Sequence, residues 1–138
     1  MSEVIKTVYL GNLRTEAEHV RSKSKLLTDA PLDNHGKGEG FSPTDLFAAS
    51  YASCALTIIG IAAQTHNFNI DGATVQTTKI MAENPRRIAE FVVEFTFPNN
   101  NYTQKERSII ENSIQNCPIG NTIANVVKIT KTMNYEKS

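Results

Sequence analysis

Eighteen consecutive residues without a charge, Leu46 to Ala63 (LFAASYASCALTIIGIAA), constrain this chain more than any other feature. A run of that length is near the lower limit for a helix that spans a bilayer. It also carries Ser50, Tyr51, Ser53, Cys54 and Thr57, and only its last third is strongly apolar. No basic anchor lies close to either end. The expectation is a long helix buried on most sides at the centre of a soluble domain. Ser42 can cap its N-terminus, Pro43 suits the first helical position, and Asp45 sits near the positive end of the dipole. The helix is placed at 43–65.

Strands are expected on both sides of it. Before it, 3–10 (EVIKTVYL), 14–21 and 24–28 read as strands, and 29–41 (DAPLDNHGKGEGF) reads as a glycine-rich loop. After it, 72–81 forms a strand, Glu83-Asn84-Pro85 a turn, and 87–97 a second strand. In that strand Ala89, Phe91, Val93, Phe95 and Phe97 alternate with Ile88, Glu90, Val92, Glu94 and Thr96, the period of an antiparallel hairpin with one face on a core. Thr103 and Glu106 make a capping-box pattern at the start of a second helix. Ile109, Ile110, Ser113, Ile114 and Cys117 follow at helical spacing. Pro118 ends that helix and begins a short one at 118–125, and 126–133 returns as a strand. The order βββ-α-ββ-α-β describes an α+β fold, one domain over 1–138.

Composition narrows the partners. With 14 Lys+Arg against 14 Asp+Glu the chain is formally neutral. Neither half is basic, so no nucleic acid is expected, and no charge run suggests an anionic membrane. The segment MSEVIKTVYL lacks the pattern of a secretory signal, which points to the cytoplasm. His19, His35 and His66 have no metal-ligand spacing with the cysteines. Gly36-x-Gly38-x-Gly40 lacks the Lys-Ser/Thr of a phosphate loop. Ser50 and Ser53 lack a nucleophile elbow.

Two cysteines remain. Cys54 lies about three turns into the uncharged helix, where a buried Cys acting as a small hydrophobe is the plain alternative to chemistry. Cys117 precedes Pro118 and would occupy the N-cap of the short helix, where backbone N–H groups favour a thiolate. Its plain alternative is a residue at a helix corner. Together the two could form a redox pair, one thiolate attacking and the other thiol resolving.

The stretch SPTDLFAASYASC (42–54) resembles the helix signature of the OsmC/Ohr family of osmotically inducible and organic-hydroperoxide-resistance proteins. Asn116-Cys117-Pro118-Ile119 resembles that family's second cysteine motif, and Thr28-Asp29-Ala30-Pro31 with the glycines that follow resembles the OsmC-like branch. The resemblance implies a two-layer fold and an intertwined homodimer with active sites at the subunit interface. It implies that Cys54 is the peroxidatic nucleophile and Cys117 the resolving thiol. An arginine from the partner's N-terminal strands would hold the thiolate; Arg14 matches best and Arg21 second. It further implies reduction by dithiols such as lipoylated proteins, with no cofactor and no metal. Phe41, Thr44, Phe47, Tyr51 and Ile58 would line a pocket suited to an organic hydroperoxide. Hydroperoxide-reducing members usually carry a glutamate where this chain has Thr44, which cannot form the ion pair that orients the arginine; Glu39 is the substitute considered. The expected function is thiol-dependent reduction of organic hydroperoxides, or hydrogen peroxide, in oxidative-stress defence. A small-molecule-binding or redox-sensing protein with little turnover is the alternative.

Overall fold

The structure is a computed structural model and describes residues 2–136. The chain divides into two compact units between Phe47 and Ala48.

The first unit is built on an antiparallel meander of β1 (Ile5–Gly11), β2 (Arg14–His19) and β3 (Ser24–Asp29), in that spatial order. Gly11 pairs with Arg14, so the β1–β2 connection is only Asn12 and Leu13. Both have positive φ, 54° and 63°, the geometry whose twist matches the flanking strands of a tight hairpin. The β2–β3 register sets Arg14 directly opposite Asp29 and Thr15 opposite Thr28. β3 thus runs one residue beyond the expected end at 28. The loop that follows is closed tightly: the Gly36 N–H donates to the Pro31 carbonyl at 2.9 Å. A Cβ at Gly36 would fall 1.7 Å from the Ala30 carbonyl oxygen, so this turn requires glycine.

Helix α1 (Pro43–Thr65) begins where the sequence places it. The Asp45 N–H donates to Ser42 Oγ at 3.0 Å, and the Ser42 N–H donates to Asp45 Oδ2 at 3.0 Å. This reciprocal cap satisfies two donors that a helix start otherwise leaves unpaired.

The second unit holds most of α1, β4 (Thr74–Ala82), β5 (Arg87–Phe97), α2 (Gln104–Ser113), α3 (Pro118–Ile123) and β6 (Lys128–Tyr135). Its sheet has the order β4-β5-β6; β4–β5 is the expected antiparallel hairpin, and β5–β6 is parallel. A parallel neighbour needs a long crossover, which the segment with α2 and α3 supplies. β6 begins two residues later than expected, because the Val126 and Val127 N–H groups turn back to the Ile123 carbonyl. Thr103 caps α2 in the expected box: its N–H donates to Glu106 Oε1 at 2.9 Å and its Oγ1 accepts from the Glu106 N–H at 3.1 Å.

Phe91, Val93, Phe95 and Phe97 project from one face of β5 and are fully buried against Tyr51, Ala55 and Ile59 of α1 and Ile110 of α2. The expectation that α1 is buried on most sides needs correction. Its buried residues are Ala48, Tyr51, Ala55, Ile59 and Ala63, a single stripe at helical spacing. Ser53, Thr57 and Ile61 are exposed, and α1 remains long and apolar enough to cross a membrane, with 28% of its apolar stretch buried. One three-stranded sheet can cover only one stripe of a helix.

Candidate active site

Cys54 and Cys117 meet. Cys54 sits on α1 one turn after the buried Tyr51 and is partly exposed, whereas Cys117 is 1% exposed. Both are free thiols, and Cys54 lies near enough to Cys117 to shift its titration. Helix α2 ends in a 3₁₀ turn (Ile114–Asn116), and extended backbone at Cys117 then makes it the N-cap of α3. Its Sγ accepts the Gly120 N–H at 3.4 Å.

The N-cap position alone predicts a thiolate at Cys117, and the structure corrects this. Burial pushes the Cys117 thiol up and the neighbouring Cys54 pushes it further, outweighing the opposing N–H groups of Gly120 and Ile119. Cys117 therefore keeps its proton at neutral pH. Tyr51 is pushed up to about 12, chiefly by burial and then by the two nearby cysteines, so its hydroxyl also stays protonated. Gly120 lets these groups crowd together: a Cβ there would lie 3.3 Å from the Tyr51 ring and 3.7 Å from Cys117 Sγ. Tyr51, Gly120, Asn121, Lys128 and Lys131 border a cavity of about 390 Å³ on this unit.

Exposure divides the two thiols. Brief treatment of the native reduced protein with iodoacetamide near pH 7.5 is expected to label Cys54 and spare Cys117. Peptide mass spectrometry reads the result, and equal labelling would contradict the burial of Cys117.

In the first unit, Arg14 forms a forked pair with Asp29: Nε donates to Oδ1 at 2.7 Å and Nη2 to Oδ2 at 3.0 Å. Asp29 is 7% exposed. The guanidinium holds its carboxyl below the ordinary value of 3.8, through the hydrogen bonds first, and the carboxylate raises Arg14. The stabilisation from this pair is complete above the ordinary carboxylate range and fades as pH falls through the lowered Asp29 value. Glu39 lies 3.7 Å from Arg14 Nη2, a weaker second acid. The acid paired with Arg14 thus comes from β3, and sequence reasoning missed Asp29 because it placed residue 29 in the loop.

Of the remaining candidates, Arg21 is tied to Glu3 at an exposed position, with Nε donating to Oε1 at 2.7 Å. Thr44 Oγ1 lies 3.1 Å from Ser42 Oγ within the helix cap. Phe41 and Phe47 are 55% and 38% exposed. Ile58 is partly buried against the core of the second unit, and the Tyr51 ring lies 6.0 Å from that of Phe91.

The family model described as OsmC-like protein matches residues 36–132. The chain belongs to the OsmC-like family. A solved structure from Psychrobacter arcticus 273-4, named for osmotic stress induction and a detoxification response, is 43% identical. The match covers 94% of this chain and 93% of that one, with a TM-score of 0.88. An organic hydroperoxide resistance protein OsmC from Legionella pneumophila shares the fold at 18% identity, covering 97% of each chain with a TM-score of 0.77. The organic hydroperoxide resistance protein OhrB of Bacillus subtilis does so at 15% identity, covering 96% of this chain and 98% of its own, with a TM-score of 0.72. Among curated proteins, no relative matches the chain. The α+β order of this OsmC-like chain is therefore the family fold.

Proposed function

We propose that this OsmC-like protein is a thiol-dependent peroxidase for organic hydroperoxides. The proximity of Cys54 and Cys117, both beside Tyr51, carries this reading. The Cys54 thiolate attacks one oxygen of the O–O bond; Cys54 becomes a sulfenic acid, and the other oxygen leaves, with a proton, as the alcohol. The Cys117 sulfur then attacks the Cys54 sulfur, water leaves, and a disulfide forms. An external dithiol reduces that disulfide in two exchange steps, returning both thiols and departing as its own disulfide. A retained proton on Cys117 suits it to the second step rather than the first.

The neutral chain and its apolar surface favour an uncharged organic substrate over a polyanion. The protein acts as a homodimer in the cytoplasm, with Arg14 of one subunit serving Cys54 of the other and a dithiol, such as a lipoylated protein, as reductant. Support for the dimer comes from apolar side chains that the single chain leaves exposed, among them Ile5, Tyr9, Leu27 and Ile61.

Cumene hydroperoxide added to the reduced protein is expected to remove both thiols and then to drive continuous consumption of an added dithiol. If both thiols stayed titratable, the assignment would fail. Disulfide formation without dithiol turnover would identify a redox sensor instead.

A further inference from the structure

We propose that the cavity of about 390 Å³ bordered by α1, α3 and β6 is a binding site for a small organic carboxylate, separate from the thiol chemistry, and that Tyr51 and Lys131 hold the carboxylate group.

The sequence puts two polar groups where apolar ones would pack at lower cost. Tyr51 lies on the buried stripe of α1 and is 1% exposed. Its ring packs 6.0 Å from that of Phe91, yet its hydroxyl has no hydrogen-bond partner among the described residues. A buried hydroxyl left unpaired costs stability that phenylalanine would not. Among the described residues, the side-chain polar atom sealed from solvent without a partner is Thr77 Oγ1. The Tyr51 hydroxyl is therefore not sealed, and the space it borders is this cavity. Burial, then the two nearby cysteines, push it up to about 12, so it keeps a proton to donate.

Lys131 is the second group. The parallel register sets Ile129, Lys131 and Met133 of β6 beside Phe91, Val93 and Phe95 of β5, which form the fully buried inner face of the sheet. Alternation along the strand puts Lys131 on that same face. Ile129 and Met133 pack against the core there. Lys131 instead borders the cavity, with no ion-pair or hydrogen-bond partner among the described residues. Lys128 adds a second ammonium, and no acid lies on the border.

Two cations and a hydroxyl donor without an acceptor are the complement of an anion. Ile114, Val127 and Ile129 supply an apolar wall, so the anion that fits carries an apolar body. Neither cysteine borders the cavity, so reduction of a peroxide at Cys54 does not account for these residues.

The probe is hexanoate, titrated into the reduced full chain and followed by amide NMR shifts and calorimetry, with hexanamide and sulfate as comparators. Hexanoate is expected to saturate and to move the Gly120 and Asn121 amides, and hexanamide, of the same shape without the charge, to bind about tenfold more weakly or worse. Lys131→Met keeps the stem and removes the charge; it is expected to weaken hexanoate by about tenfold. Tyr51→Phe is expected to weaken it by roughly fivefold while melting no lower than the wild type, because the hydroxyl has no partner in the free protein. Lys105→Met removes the same charge from the exposed surface of α2 and should leave the affinity unchanged. Failure of hexanoate to saturate would overturn the inference. So would equal affinity for hexanamide, or undiminished affinity in both Lys131→Met and Tyr51→Phe. Displacement of hexanoate by sulfate at equal concentration would mark a site for inorganic anions and overturn the carboxylate assignment. Shifts confined to α1 around Cys54 would place the probe at the thiols and overturn the separate site.

Discussion

Cys54→Ser is expected to lower peroxide-dependent dithiol consumption by on the order of a thousandfold or more. A serine hydroxyl is not ionised at neutral pH and cannot pass through a sulfenic acid to a disulfide. The neighbouring thiol cannot take over, because Cys117 is 1% exposed and holds its proton. Cys117→Ser should behave differently. Its first encounter with peroxide proceeds, since Cys54 is intact, but the sulfenic acid then has no partner. Successive doses of peroxide should convert it to the sulfinic acid, detectable by mass spectrometry, while turnover with dithiol falls. If Cys54→Ser consumed cumene hydroperoxide as fast as the wild type, the division of labour between the cysteines would be wrong. If Cys117→Ser resisted over-oxidation as well as the wild type, another group would have to resolve the intermediate.

The sequence was most legible where local chemistry decides structure. Ser42, Pro43 and Asp45 mark the start of α1, Thr103 and Glu106 the start of α2, and the alternation around Phe91 and Phe95 the buried face of β5. Each depends on residues within a few positions of one another. What escaped were quantities set by distant parts of the chain. The parallel placement of β6 beside β5 depends on the path of the crossover, which no local pattern records. The number of faces of α1 that are buried depends on how many elements are available to cover them. The site divided in the same way. Cys54 and Cys117 were singled out by residue type and by the motifs around them, but that Cys117 holds its proton follows from burial, and a dipole argument alone pointed the wrong way for it. Asp29 was in view as part of Thr28-Asp29-Ala30-Pro31 and was still missed as an acid. Its partner is fifteen positions away, and only the β2–β3 register sets it opposite Arg14. Extending β3 by one residue, with a two-residue turn before Arg14, would have been enough to find it.

Phe91→Ala should give the largest loss of stability of the substitutions considered, about 3–5 kcal/mol. Phe91 is fully buried on the inner face of β5, where Val93 and Phe95 flank the next pleats. Its ring lies 6.0 Å from that of Tyr51, centroid to centroid. Truncation removes the apolar contact and leaves a cavity that a sheet paired on both sides of β5 cannot collapse to fill. For a chain of this length the melting temperature should fall by roughly 10–20 °C. Phe91→Leu, which keeps most of the volume, should cost less than about 1.5 kcal/mol. The consequence for the site follows from the contacts of Tyr51. That ring touches the position of Gly120, and Gly120 donates to Cys117 Sγ. A cavity beneath Tyr51 therefore loosens the support of the resolving thiol before it unfolds the chain. In Phe91→Ala at a temperature well below its melting point, Cys117 should become open to iodoacetamide while labelling of Cys54 stays fast. Protection of Cys117 as complete as in the wild type would show that the α3 N-cap holds that thiol without support from the core.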